Sequence, residues 1–192
     1  MQIRLLGPVD VTVEGPARPV NGLRRKAVLA VLALQRGEVV STDRLLHVVW
    51  GDSSASTALN TLQSNVSHLR QVLGSKQAIV ARPPGYVLDL PAGASDVEAA
   101  EHLIRQGTGS AGHADRVRHL RAALGLWRGR PLVDVPGLPW LDEQADRLDR
   151  LRLRATLALL ESRLALGEHA GLVPDLEQLT RDHPLDEQIH GC

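Results

Sequence analysis

Residues 55–73 read ASTALNTLQSNVSHLRQVL. Leu59, Leu62, Val66, Leu69 and Leu73 recur at steps of three and four, the period of a helix that buries one face. The other face carries Asn60, Gln63, Ser64, Ser67, His68, Arg70 and Gln71, all able to hydrogen-bond, and no Asp or Glu stands between Asp52 and Asp89. An ordinary solvated helix face mixes Glu with Lys. A face cleared of carboxylates suits a polyanionic partner instead.

The flanking sequence gives this helix a setting. Upstream, LRRKAVLAVLALQR at 23–36 is a helix with a broad apolar face, stopped by Gly37. A short extended piece follows at Val39 and Val40. Ser41 or Thr42 then caps a second helix, TDRLLHVVW, which Gly51 closes. Downstream, AIVAR and YVLDL are two short strands joined by Pro83-Pro84-Gly85, a hairpin. Before all of these, Ile3, Leu5, Val9, Val11 and Val13 alternate, broken by Gly7-Pro8 and ended by Gly15-Pro16, which predicts a small antiparallel sheet. Sheet, three helices and a hairpin in this order describe a winged helix-turn-helix with an N-terminal sheet, placed at 1–92.

After a short linker at Pro91, Gly93 and Ala94, the sequence turns helical. Ser95 and Glu98 have capping-box spacing at the start of DVEAAEHLIRQ. The segment GTGSAG reads as a loop before DRVRHLRAALGLWRG, and Pro131, Pro136-Gly137 and Pro139 make the next break. A long helix is expected from about Leu141 to Leu166, and another from about Ala170 to Arg181 before His183-Pro184. Short loops between helices suggest an all-α helical-repeat domain at 95–192. The fold class is therefore mostly α with a small α+β part.

The total of 192 residues allows one large domain or two small ones. A net charge of zero hides an asymmetry: residues 1–94 carry 10 Lys/Arg against 6 Asp/Glu, and residues 95–192 carry 12 against 16. The basic half is the candidate for nucleic acid. A single cysteine, Cys192, excludes an intrachain disulfide and a cysteine-pair zinc site. The absence of a signal-peptide core and of a long apolar run predicts a cytoplasmic protein. With 2% aromatic residues there is little to stack unpaired bases on, which argues against single-strand binding; Tyr86, Trp50, Trp127 and Trp140 read as packing residues. His183 and His190 flank Asp186 and Glu187, but their spacing of seven does not match a helical zinc pair. No catalytic motif and no cofactor loop occurs, so an enzyme is not expected.

Two further cationic features fit a duplex. Arg24, Arg25 and Lys26 stand together at a helix start, where they oppose the macrodipole unless a phosphate lies nearby. Arg82 precedes the hairpin tip, from which a cation can enter a minor groove or hold a phosphate.

The run LGPVDV near the start, RRKAVLAVLALQRGEVVSTDRLLHVVWG, TALNTLQSNVSHLRQVLG and PPGYVL resemble the OmpR-type DNA-binding domain of the Streptomyces antibiotic regulatory proteins. LRAALGLWRGRPLVDV, LALLESRLALGEH and LTRDHPLDEQIH resemble the bacterial transcriptional activation domain that follows it in that family. The resemblance implies a sequence-specific activator that binds direct repeats near a promoter's −35 region and recruits RNA polymerase to a secondary-metabolite (antibiotic) gene cluster. It implies dimer formation or side-by-side binding on DNA, and no cofactor. It places the groove-facing positions on Asn60, Ser64, Asn65, Ser67, His68 and Arg70, with Arg70 meeting a guanine or a phosphate. The resemblance implies an activation domain that runs through at least two further helices beyond the HPL segment, so either a sequence cut short at Cys192 or a shortened activation domain is expected. The alternative is a helical-repeat adaptor that uses its winged domain for protein contact, a role that does not require an acid-free helix face.

Overall fold

The structure is a computed structural model that describes residues 1–13, 15–51 and 55–168. The expected helix at 170–181, His183, His190 and Cys192 lie outside the described residues.

Strands β1 (Gln2–Arg4), β2 (Asp10–Thr12) and β3 (Ala17–Pro19) form an antiparallel sheet in that order, with Ile3 opposite Val11 and Val11 opposite Arg18. The third strand corrects the sequence reading, which ended the sheet at Gly15-Pro16. Gly15, at φ +147°, turns the chain back and does not stop it.

Helix α1 (Leu23–Leu34) buries every residue from Ala27 to Ala33, because it packs on both α2 (Thr42–Trp50) and α3 (Ala55–Val72). Of the two candidate caps of α2, Ser41 is the one used: its hydroxyl accepts the N–H of Arg44 at 3.1 Å. Helix α3 ends in a Schellman cap, with Gly74 N–H donating to Gln71 and Ser75 N–H to Arg70, both at 3.1 Å. Gly74 supplies the positive φ of +71° that this cap needs.

A 3₁₀ turn, Lys76–Ala78, leads into strand β5 (Ile79–Arg82), and β6 (Gly85–Leu88) returns beside it. The short strand β4 (Val40–Ser41) pairs with β6, giving the sheet order β4-β6-β5. Gly85 is required here, since a Cβ would lie 1.9 Å from the Val40 carbonyl oxygen. The Pro83–Pro84 peptide at the tip is cis.

Three helices follow: α4 (Asp96–Gly109), α5 (His113–Leu124) and α6 (Pro139–Ala165). Gly107 and Gly109, read as loop, belong to α4; buried Gly107 lets the side chains of Leu120 and His119 on α5 approach closely. The capping box also departs from its expected form. Ser95 Oγ accepts from Val97 N–H, while Glu98 reaches past Ser95 to the N–H of Gly93 and to Arg36. Arg36, in the turn after α1, draws Glu98 away from the reciprocal bond.

The chain divides into two compact units. One takes in the described residues of Met1–Ala99 together with Leu126–Asp149, and the other Ala100–Gly125 with the described residues from Arg150 to Glu168. In the first unit the core holds Ile3, Leu5, Leu6, Leu29, Leu32, Leu45, Leu62, Leu69, Ile79 and Leu88; in the second it holds Val117, Leu120, Ala123, Ala155 and Leu160. The fold is mostly helical, a winged-helix region followed by helices. No described helix is long and apolar enough to cross a membrane.

Within the first unit, the segment after α5 is sewn to the N-terminal sheet. Arg128 N–H donates to Leu6 at 2.7 Å and Leu132 N–H to Leu5 at 3.0 Å. Asp96, 2% exposed, accepts the N–H groups of Leu5 and Leu6. Asp10 binds both Arg4 and Arg128.

Candidate nucleic-acid interface

Helix α3 holds its polar face outward. Asn60, Gln63, Ser64, Ser67 and Gln71 are exposed, and His68 and Arg70 are half-buried. Behind them Ala58, Leu62, Val66, Leu69 and Leu73 are buried, and each large apolar side chain so removed from water contributes about 1.5–3 kcal/mol toward fixing the helix.

Two positions differ from the sequence reading. Leu59 is 37% exposed, and Asn65, expected in a groove, is 6% exposed. At about 100° of turn per residue both positions stand about 60° from Leu62, on opposite edges of the apolar face, so the period alone does not separate them and the packing around α3 buries position 65 while leaving 59 open. The Asn65 Nδ2 has no hydrogen-bond partner among the described residues. Asn65 therefore does not share the exposed face with Asn60, Ser64 and Ser67.

Arg70 has a structural commitment. Its Nε donates to the carbonyl of Ile79 at 2.8 Å, which ties α3 to the first residue of β5. Arg82 is exposed at the far end of that strand, opposite Gly85. The helix and the hairpin are thus fixed to one another through Arg70.

The cations at the start of α1 part company. Arg24 is exposed and lies 5.5 Å from the ring centre of Trp50, a cation–π contact. Arg25 is half-buried and donates to the Asn21 carbonyl at 2.9 Å. Lys26 donates to Asp134 and is only 21% exposed. The first turn of α1 has no acidic residue, and its N-cap, Gly22, offers no side-chain acceptor. Arg24 is thus the one member of the trio presented to solvent, at a helix end where an anion is favoured.

Two participants escaped the sequence reading. Lys76 is exposed on the turn beyond α3, and its only signal was being the one lysine in the acid-free stretch. Asp134 fixes Lys26 from a distant segment, which no local pattern foretells. Among the described residues there is no group of His, Cys, Asp or Glu able to hold a metal.

Comparison with known proteins places this surface in a family. The profile "Bacterial transcriptional activator domain" matches residues 95–192, and "Transcriptional regulatory protein, C terminal" matches residues 23–88. The regulatory protein DnrI of Streptomyces peucetius is 35% identical over 98% of this chain and 74% of its own length. The regulatory protein AfsR of Streptomyces griseus is 33% identical over 98% of this chain and 20% of its own. The solved structure "Mycobacterium tuberculosis EmbR in complex with low affinity phosphopeptide" superposes with a TM-score of 0.86 at 31% identity, covering 98% of this chain and 52% of that one. The chain thus spans about three quarters of DnrI, half of EmbR and a fifth of AfsR. DnrI and AfsR are named regulatory proteins, and EmbR a transcriptional regulatory protein. On the two profiles and the match to DnrI along 98% of this chain and 74% of DnrI, the chain belongs to the Streptomyces antibiotic regulatory protein family of transcriptional activators.

Proposed function

We propose that this regulator binds double-stranded promoter DNA in a sequence-specific manner through α3 and the β5-β6 hairpin, and activates transcription from there. The observation that carries the reading is the outward face of α3: Asn60, Ser64 and Ser67 exposed, His68 and Arg70 beside them, and no carboxylate in the sequence from 53 to 88. An α-helix fits the major groove, where such side chains meet base edges bearing distinct donors and acceptors. Arg24 and Arg82 hold the backbone on either side. Lys26 is engaged by Asp134 and Asn65 is buried, so neither takes part.

The domain at 1–92 selects the site and the helical domain at 95–192 makes the partner contact. The sites are direct repeats near the −35 region, occupied by a dimer or by two copies side by side. The partner is RNA polymerase, and the target is a secondary-metabolite gene cluster in the cytoplasm. DnrI and AfsR being regulatory proteins of Streptomyces supports this assignment.

Titration of the chain onto promoter fragments and onto random duplex of equal length, at two salt concentrations, tests the proposal. A saturable preference for particular fragments that survives higher salt is expected. Equal, weak binding to every duplex, lost as salt rises, would favour the protein-adaptor alternative.

A further inference from the structure

We infer that the depression at the C-terminal end of α3 is a seat for a backbone phosphate of the bound duplex, with Lys76 as its charged contact. The inference rests on the duplex-binding reading above and assigns the turn at Gly74, Ser75 and Lys76, which adjoins the base-reading face at Ser67 and Arg70 and lies outside it.

The depression has a volume of about 560 Å³ and is lined by Ser67, Arg70, Gln71, Gly74, Ser75 and Lys76. Ser67 and Gln71 belong to the exposed face of α3, so the depression continues that face past the end of the helix. The Schellman cap brings this about. Its bonds from Gly74 to Gln71 and from Ser75 to Arg70 fold the chain back, so that Ser75 and Lys76 come to line the same hollow as Ser67 and Arg70.

Every polar side chain in the lining can donate a hydrogen bond, and none is negatively charged. Arg70 spends its Nε on the Ile79 carbonyl, which holds the guanidinium in place and leaves its terminal nitrogens for another acceptor. Ser75 Oγ already accepts the N–H of Gln77 at 3.1 Å, so its O–H is left to donate. Lys76 is exposed, and among the described residues neither it nor Arg70 is paired with a carboxylate. A phosphodiester offers the complement: acceptors only, one negative charge and no proton to give. Lysine serves such a contact as a point charge, while the guanidinium, already oriented, adds direction.

The composition makes the test sharp, because Lys26 and Lys76 are the only lysines in the sequence. The intact chain is treated with an acetylating reagent, free and saturated with duplex, and each lysine is followed by mass spectrometry. The duplex is expected to slow acetylation of Lys76 and leave that of the ion-paired Lys26 unchanged. In parallel, Lys76→Ala is expected to lower affinity equally on preferred and random duplex and to reduce the slope of log K against log salt by about one. Lys76→Arg restores both. Lys76 acetylated at the same rate in the saturated complex overturns the proposal whatever the slope does. A chain that binds no duplex at either salt concentration overturns the underlying reading instead, and the two failures are told apart by whether a complex forms.

Discussion

Lys26 donates its ammonium to Oδ2 of Asp134, 108 positions further along the chain, and Oδ1 of the same carboxylate accepts the Val9 N–H at 2.9 Å. One member of a cationic run that suits DNA is therefore a strut between α1, the N-terminal sheet and the segment after α5. Asp134→Ala is expected to lower unfolding free energy in urea by about 1–3 kcal/mol, because it strands a backbone donor and an ammonium together. Lys26→Ala costs less and leaves duplex affinity unchanged, whereas Arg24→Ala weakens binding. Equal losses of affinity for the two substitutions would return Lys26 to the interface.

Arg70 carries a second expectation. With its Nε bound to Ile79, Arg70 positions the hairpin against α3. Arg70→Ala should weaken binding to preferred and random duplexes alike, by about 1–3 kcal/mol for a charged hydrogen-bond donor removed. A loss confined to preferred fragments would mean that Arg70 reads a base.

Asp96 gives the fold a pH signature. Burial raises its carboxyl above the ordinary range, against the lowering effects of the Leu5 and Leu6 N–H groups and of the Arg128 charge. The folded chain then keeps a proton on Asp96 at a pH where the unfolded chain has lost it. The stability so contributed is fully present below the unfolded value and is lost as pH rises through the raised one. The difference in unfolding free energy between the wild type and Asp96→Asn is expected to move against the wild type as pH climbs through that window. A difference that is flat or of opposite slope across the acidic range would contradict it. Asp96→Ala is the harsher change, at about 1–3 kcal/mol for each orphaned N–H.

Gly85→Ala tests the hairpin. A methyl group 1.9 Å from the Val40 oxygen and 2.7 Å from the Ser41 Cα meets backbone that cannot yield, so β4 must part from β6. A loss of at least about 1–3 kcal/mol in stability is expected, with weaker duplex binding from a displaced Arg82. Wild-type melting would show that the strands have room to spare.

What the sequence made legible follows from the range of the interactions. Helices α1, α2 and α3, the Ser41 cap and the hairpin are written in local periods and in punctuation by Gly37, Gly51, Gly74 and Gly85, so they could be read directly. Strand β3 was missed because Gly15-Pro16 reads equally as an end or a turn. Asn65 was misplaced because a resemblance assigns positions without regard to which face a particular core fills. The bonds of Lys26 to Asp134, of Arg70 to Ile79 and of Glu98 to Arg36 depend on segments brought together only by folding. Local pattern carries no trace of them, and they decide which cations remain for DNA.

The most direct measurement is selection of bound fragments from a pool of random duplexes by the purified chain, followed by sequencing. If α3 reads base edges, the bound pool converges on one motif, recurring in direct orientation, and Asn60→Ala combined with Ser64→Ala erodes that convergence while binding persists. A bound pool as random as the starting one, at salt where complexes still form, would contradict sequence-specific recognition by this helix.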